Sequence, residues 1–202
     1  MRDIVVYATD TMADWEYGYL ISGITMAEEM APGRFRLRIL ADGGDHVTTK
    51  GGLRVLVDGS IGAVDPHTLA ALVLPGADTW QSGHDVALGL AERALQAGAC
   101  VAAICGATYG LARAGLLDDR AHTSNAADFL APSGYRGAGG YQEARTVRDR
   151  GLITAPATMP VDFAAAVFRE LALFPEPIVV AWYGLFTTGE RAYFDILAGD
   201  AG

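Results

Sequence analysis

Four short apolar runs, Ile4–Ala8, Phe35–Ala41, Ala71–Pro75 and Cys100–Ile104, set the strongest limit on how this chain can fold. Runs of this length with few polar interruptions suit strands buried on both faces, the usual environment of a parallel sheet. The segments between them have helical spacing. Trp15 to Met30 carries Tyr17, Leu20, Ile21, Ile24 and Met26 on a broad apolar face, and Val86 to Ala97 carries Leu88, Leu90 and Leu95. Alternation of strand and helix predicts an α/β sandwich around a mainly parallel sheet.

Smaller elements are expected around this frame. Val47–Thr49 and Val55–Val57 form a candidate side hairpin about Gly51-Gly52, and Ala144–Val147 with Leu152–Thr154 another about Asp149-Arg150-Gly151. Two helices, Val161–Leu173 and Ile178–Ile196, are expected to close the chain, divided by Phe174-Pro175-Glu176-Pro177. The 202 residues fit one domain, 1–202, large enough to bury most of its apolar surface in a single core.

Composition narrows the function classes. With 51% hydrophobic and 19% charged residues the chain is globular rather than disordered. A formal net charge of -9 would repel a phosphate backbone, so a small molecule is the expected partner and nucleic acid is not. The N-terminal apolar run reaches Thr9-Asp10 too soon for a signal-peptide core, and no later run spans a bilayer. Cys100 and Cys105 are the only cysteines. On one strand they would lie roughly 16 Å apart, at about 3.3 Å per residue, too far for a disulfide. Free thiols and a cytoplasmic location are the expectation.

In open α/β sheets ligands bind beyond the carboxyl ends of the strands, so three loops belong together. They are Thr9 to Glu16, Gly76-Ala77-Asp78-Thr79-Trp80, and Cys105-Gly106-Ala107-Thr108-Tyr109-Gly110. The third is the most informative. Ala103-Ile104-Cys105-Gly106-Ala107 places a nucleophile between small residues two before and two after it, the pattern of a nucleophile elbow, where a larger side chain would collide with the following helix. A cysteine there sits in strained backbone at a helix N-terminus, and the helix dipole and free amides are expected to lower its pKa. Cys100 reads instead as a buried small hydrophobe. Glu16 alone reads as a dipole-complementing carboxylate at a helix start, while the amides of Gly76, Ala77 and Gly106 are candidates for stabilising an oxyanion.

In this order the motifs resemble the ThiJ/PfpI superfamily of intracellular protease/amidase-like and stress-response proteins, related in fold to class I glutamine amidotransferase domains. The resemblance rests on Asp14-Trp15-Glu16, Leu74-Pro75-Gly76-Ala77, Ala102 to Ala107, Leu111 to Arg120 with His122-Thr123-Ser124-Asn125, and Gly151-Leu152-Ile153-Thr154-Ala155. It implies a flavodoxin-like three-layer α/β/α sandwich, usually dimeric, with Glu16 hydrogen-bonded to Cys105. A carboxyl group beside a thiolate would have its own pKa raised and could donate a proton.

The histidine of the family is not matched. Peptidase-like members carry one directly after the cysteine, where this chain has Gly106; others carry one at the position that aligns with Asn125. His122 is either a catalytic candidate or a packing residue, on the opposite face from Asn125 if both belong to one regular strand. His46, His67 and His84 have no better claim, so a complete Cys-His-acid triad is not evident. Trp80 could line a pocket or belong to the core. No phosphate loop, dinucleotide fingerprint, H-E-x-x-H or C-x-x-C occurs, so no cofactor and no metal are expected. The reading is a cysteine-dependent enzyme acting on a small electrophile, with a stress-related role. Its rival is a redox-responsive or small-molecule-binding protein in which Cys105 oxidises without turnover.

Overall fold

The structure is a computed structural model and describes residues 1–199. The strands are β1 (Arg2–Ala8), β2 (Phe35–Ala41), β3 (His46–Thr48), β4 (Arg54–Leu56), β5 (Gly59–Ser60), β6 (Leu69–Leu74), β7 (Cys100–Ile104), β8 (Val147–Asp149) and β9 (Leu152–Ala155). The helices are α1 (Asp14–Met30), α2 (Asp85–Gln96), α3 (Gly106–Arg113), α4 (Ala127–Leu130), α5 (Pro160–Glu170), α6 (Glu176–Thr188) and α7 (Arg191–Ala198). One sheet runs β5-β2-β1-β6-β7-β9-β8, and all its neighbours pair in parallel except β8, which is antiparallel to β9.

Side-chain alternation divides the sheet between two cores. Ile4, Val6, Ala71, Val73, Ala102 and Ile104 face α1, α5 and α6, where they meet Leu20, Ile24, Phe163, Phe168 and Trp182. Val5, Tyr7, Leu72, Leu74, Val101 and Ala103 face α2 and α3, packing on Leu90, Ala94 and Leu111. Burial on both faces explains why these strands carry apolar residues at consecutive positions. The architecture is the flavodoxin-like α/β/α sandwich.

Some expectations need correction. The single terminal helix over 178–196 is two helices, because Gly189 adopts φ 72 and caps α6 in the left-handed region. The chain then folds α7 back so that the Tyr193 ring packs on Gly184, where an added Cβ would stand 2.5 Å from the ring. The strand expected to begin at Ala144 begins at Val147. The Ala144 carbonyl accepts from Thr123 Oγ1 at 3.1 Å instead. Asp149-Arg150-Gly151 is a tight turn with positive φ at Arg150 and Gly151, 48° and 79°. The β3–β4 pair does form, as a separate antiparallel hairpin outside the sheet. No helix among the described residues is long and apolar enough to cross a membrane.

Candidate active site

Cys105 is the whole of the connection between β7 and α3, with φ 58 and ψ -126. A side chain in such a conformation costs about 1–3 kcal/mol and persists only when its surroundings over-determine it. Here the Cys105 amide donates to Ala155 O at 2.9 Å. Its carbonyl accepts from the Thr108 amide at 3.1 Å and the Thr108 hydroxyl at 2.6 Å. The Ser124 hydroxyl, 2.6 Å from that of Thr108, continues the chain of bonds.

The need for small residues has a different origin from the expected clash with the following helix. A Cβ on Gly106 would stand 2.8 Å from Ala77 O and 3.2 Å from Trp80 Cδ1, and one on Gly110 would stand 2.3 Å from the Trp80 ring. Trp80 therefore presses α3 against the loop after β6. It is 1% exposed, its indole N–H donates to Pro75 O at 2.9 Å, and its ring stacks on His84 at 4.3 Å. Trp80 is a core residue that fixes the elbow, not a pocket wall, because burial and this hydrogen bond use both ends of the ring.

Gly76 joins Glu16 to Cys105. Its carbonyl accepts from the Ala13 amide at 2.9 Å, which seats the start of α1, and its own amide donates to Glu16 Oε2 at 2.6 Å. A Cβ on Gly76 would stand 2.7 Å from Glu16 Oε2, 2.9 Å from Cys105 Sγ and 2.6 Å from Cys105 Cβ. Carboxylate and thiol thus converge where only a hydrogen fits. Glu16 is 1% exposed, and its Oε1 has no hydrogen-bond partner. Because the Gly76 amide is spent on Glu16, its expected place in an oxyanion hole falls away. The Gly106 amide remains beside the thiol, with the Ala77 amide next to Gly106.

Burial pushes Glu16 up to about 7, against the opposing pull of the Gly76 amide, Cys105 and the Lys50 charge. Burial also pushes Cys105 up to about 11, helped by the Glu16 charge and opposed by Asn125 and the Gly106 amide. The expected low thiol pKa is corrected accordingly. Dehydration and a neighbouring carboxylate outweigh the Asn125 and Gly106 hydrogen bonds that favour the thiolate. Near neutral pH the site holds a thiol beside a carboxyl group at its own midpoint, an arrangement suited to passing a proton from sulfur to oxygen.

Asn125 donates from Nδ2 to Cys105 Sγ at 3.5 Å, while its Oδ1 accepts from the Ala157 amide at 2.9 Å. On its other side it borders a cavity of about 310 Å3 walled by Ser124, Arg145, Pro156 and Met159. His122 is not brought to this site. It makes only an isolated bridge with Tyr141 rather than belonging to a strand, and it is fully buried. Its Nδ1 faces Arg120 O at 2.8 Å and its Nε2 faces the Tyr135 hydroxyl at 3.3 Å. His84 is likewise engaged, by Tyr7 and Thr79, and His46 by Asp45 and Arg54. Among the described residues none of the four histidines hydrogen-bonds Cys105, and no group of three His, Cys, Asp or Glu side chains could hold a metal ion.

Lys50 escaped the sequence reading. It lies in the turn of the β3–β4 hairpin, where a lysine carries no motif, and its ammonium bonds Asp78 at 2.8 and 2.9 Å. Its charge lowers the Glu16 carboxyl, and the negative charges of Cys105 and Glu16 in turn raise Lys50. Only the contact between the hairpin and the loop after β1 reveals it.

The model of the DJ-1/PfpI family matches residues 2–170. Over 199 residues the chain is 35% identical to the uncharacterised protease YoaZ of Bacillus subtilis (strain 168), covering 96% of this chain and 94% of that protein. The crystal structure of a thiJ/pfpI family protein from Bacillus anthracis superposes with a TM-score of 0.92 at 34% identity, covering 98% of this chain and 96% of the other. A DJ-1 superfamily protein from Agrobacterium tumefaciens superposes with a TM-score of 0.81 at 34% identity, covering 94% and 99%. With its motifs in family order, its fold matched over nearly its full length and the family model spanning most of it, the chain belongs to the DJ-1/PfpI family.

Proposed function

We propose that this protein is a cysteine-dependent enzyme acting on a small electrophile, such as a carbonyl, amide or nitrile-like group, with Cys105 as nucleophile and Glu16 as its proton acceptor. The observation that carries this reading is the convergence of Glu16 Oε2 and Cys105 Sγ on Gly76. As sulfur attacks, the S–C bond forms, the thiol proton passes to the Glu16 carboxylate, and the carbonyl electron pair moves onto oxygen. The Ala77 and Gly106 amides stand ready for that oxygen. With an amide, collapse expels the amine, which takes the proton back from Glu16, and water then cleaves the thioester. With an aldehyde the adduct is a hemithioacetal. Asn125 positions the sulfur, and the cavity on its other side is the space offered to the rest of the substrate.

The test is turnover of methylglyoxal and a panel of amides and isonitriles by the wild type, Cys105→Ser and Glu16→Gln. Turnover that both substitutions abolish supports the reading, and its absence from the wild type on every substrate rejects it.

One observation favours a second reading, that Cys105 is an oxidisable sensor. The unpartnered Glu16 Oε1 is an acceptor for the hydroxyl of a sulfenic acid formed as peroxide oxidises the thiol and leaves as water. Mass spectrometry after peroxide treatment distinguishes this from turnover. A single-domain homodimer in the cytoplasm, with a stress-related role, belongs to the same proposal, supported by the family resemblance and the free thiols of Cys100 and Cys105.

A further inference from the structure

The chain has fifteen cationic Lys and Arg side chains, and Lys50 is its only lysine. The other fourteen are arginines, and this single lysine stands in the turn of the β3–β4 hairpin. That place is tied into the candidate active site by backbone bonds. The Lys50 amide donates to Met12 O at 3.0 Å, the Thr11 amide to Thr48 O at 2.8 Å, and the Gly51 amide to Asp14 Oδ2 at 2.7 Å. The Thr48 amide donates to Asp10 Oδ1 at 2.8 Å. The hairpin turn is thus fastened along the loop that leads into Glu16.

The partner of Lys50 is equally well placed. Asp78 lies two residues beyond Gly76, and its amide donates to Thr11 Oγ1 at 2.9 Å. The Lys50–Asp78 pair therefore bridges the loop that delivers Glu16 and the loop that abuts Cys105. The two side chains are 45% and 62% exposed, and an ion pair that exposed holds its partners only weakly. The ammonium can leave Asp78 when a stronger negative charge develops nearby. The charged or titratable groups around it are Asp78, Glu16 and Cys105, with Asp10 and Asp14 bonded to amides of the hairpin.

We propose that Lys50 is the positioning cation of this site: it rests on Asp78 and supplies, at the sulfur of Cys105 and at the substrate oxygen, the positive charge that the absent histidine does not. The inference rests on Cys105 being the reacting group. It adds no bond-making step, since Lys50 acts through its field and keeps its proton. Burial of the thiol and the carboxyl makes negative charge costly there, so a cation at the mouth favours the deprotonated pair.

The test is iodoacetamide alkylation of Cys105, followed by mass spectrometry so that Cys100 is distinguished, for the wild type, Lys50→Met, Lys50→Arg and Asp78→Asn at low and high salt. At pH 7 and low salt, Lys50→Met should react about tenfold more slowly and Lys50→Arg within about twofold of wild type. Asp78→Asn, which frees the ammonium, should react about twofold faster. Added salt should slow the wild type and leave Lys50→Met unchanged. A Lys50→Met rate equal to wild type, or a Lys50→Arg rate as low as that of Lys50→Met, overturns the proposal. So does a wild-type rate indifferent to salt, a measurement that needs no variant to fold. A wild-type Cys105 that does not alkylate at any pH rejects the underlying function as well, which separates the two failures.

Discussion

Gly76 and Cys105 approach so closely that a methyl group on the glycine would stand 2.6 Å from the cysteine Cβ and 2.9 Å from its sulfur. Gly76→Ala must therefore move the elbow, the Glu16 carboxyl, or both. The expected result is a stability loss of about 1–3 kcal/mol by chemical denaturation, with slower alkylation of Cys105. An alanine variant as stable and as reactive as wild type would show that the two loops are not packed as described.

The backbone at Cys105 lies in a region that favours glycine, so chemistry and stability are in opposition there. Cys105→Gly should be more stable than Cys105→Ala by about 1 kcal/mol, although neither has the nucleophile. Paired thermal melts measure the difference, and the opposite order would mean that the turn carries no strain.

Glu16 makes stability depend on pH in a defined direction. Its carboxyl is raised from 4.5 to about 7 in the folded protein, so the folded state holds this proton more tightly than the unfolded chain does. The stabilisation from the protonated form is complete below about 4.5, and it is lost as pH rises to about 7. Glu16→Gln, which cannot ionise, should match wild type near pH 4 and exceed it by about 3 kcal/mol at pH 8. Urea titrations at the two pH values decide this.

Reactivity should follow the same group. The rate of Cys105 alkylation is expected to rise first near pH 7, as Glu16 becomes able to accept the thiol proton, and again towards 11 as the thiol itself ionises. Glu16→Gln should lack the first rise and retain the second. A single rise unaltered by the substitution would separate Glu16 from the thiol.

Asn125→Ala should slow alkylation at pH 7 by about two- to fivefold, because the amide N–H that favours negative sulfur is removed. An unchanged rate would leave Asn125 a purely structural link to Ala157.

The main sheet was legible because burial on both faces writes consecutive apolar residues into β1, β6 and β7, while β2 alternates them with Arg36 and Arg38. The elbow was legible because Cys105 and its small neighbours are adjacent in the chain. What was hidden depends on contacts between distant segments. That Trp80 packs across Gly106 and Gly110, that the Gly76 amide is taken by Glu16, and that both ring nitrogens of His122 are engaged elsewhere all require the folded chain. The thiol pKa failed for a related reason. The helix N-terminus is local and visible in sequence, whereas the dehydration that raises the thiol is tertiary. Gly189 lies inside the helix expected over 178–196, and only its left-handed conformation shows it as a stop.

The β3–β4 hairpin is structurally separable from the sheet. It pairs with no strand of the main sheet and meets the site through the bonds of its turn to the loop after β1. Such a segment is a replaceable fitting on a fixed chassis. Exchange of the stretch between β2 and β5 would change what surrounds Asp78 and the loop into α1 while Glu16, Gly76 and Cys105 stay in register on the sheet.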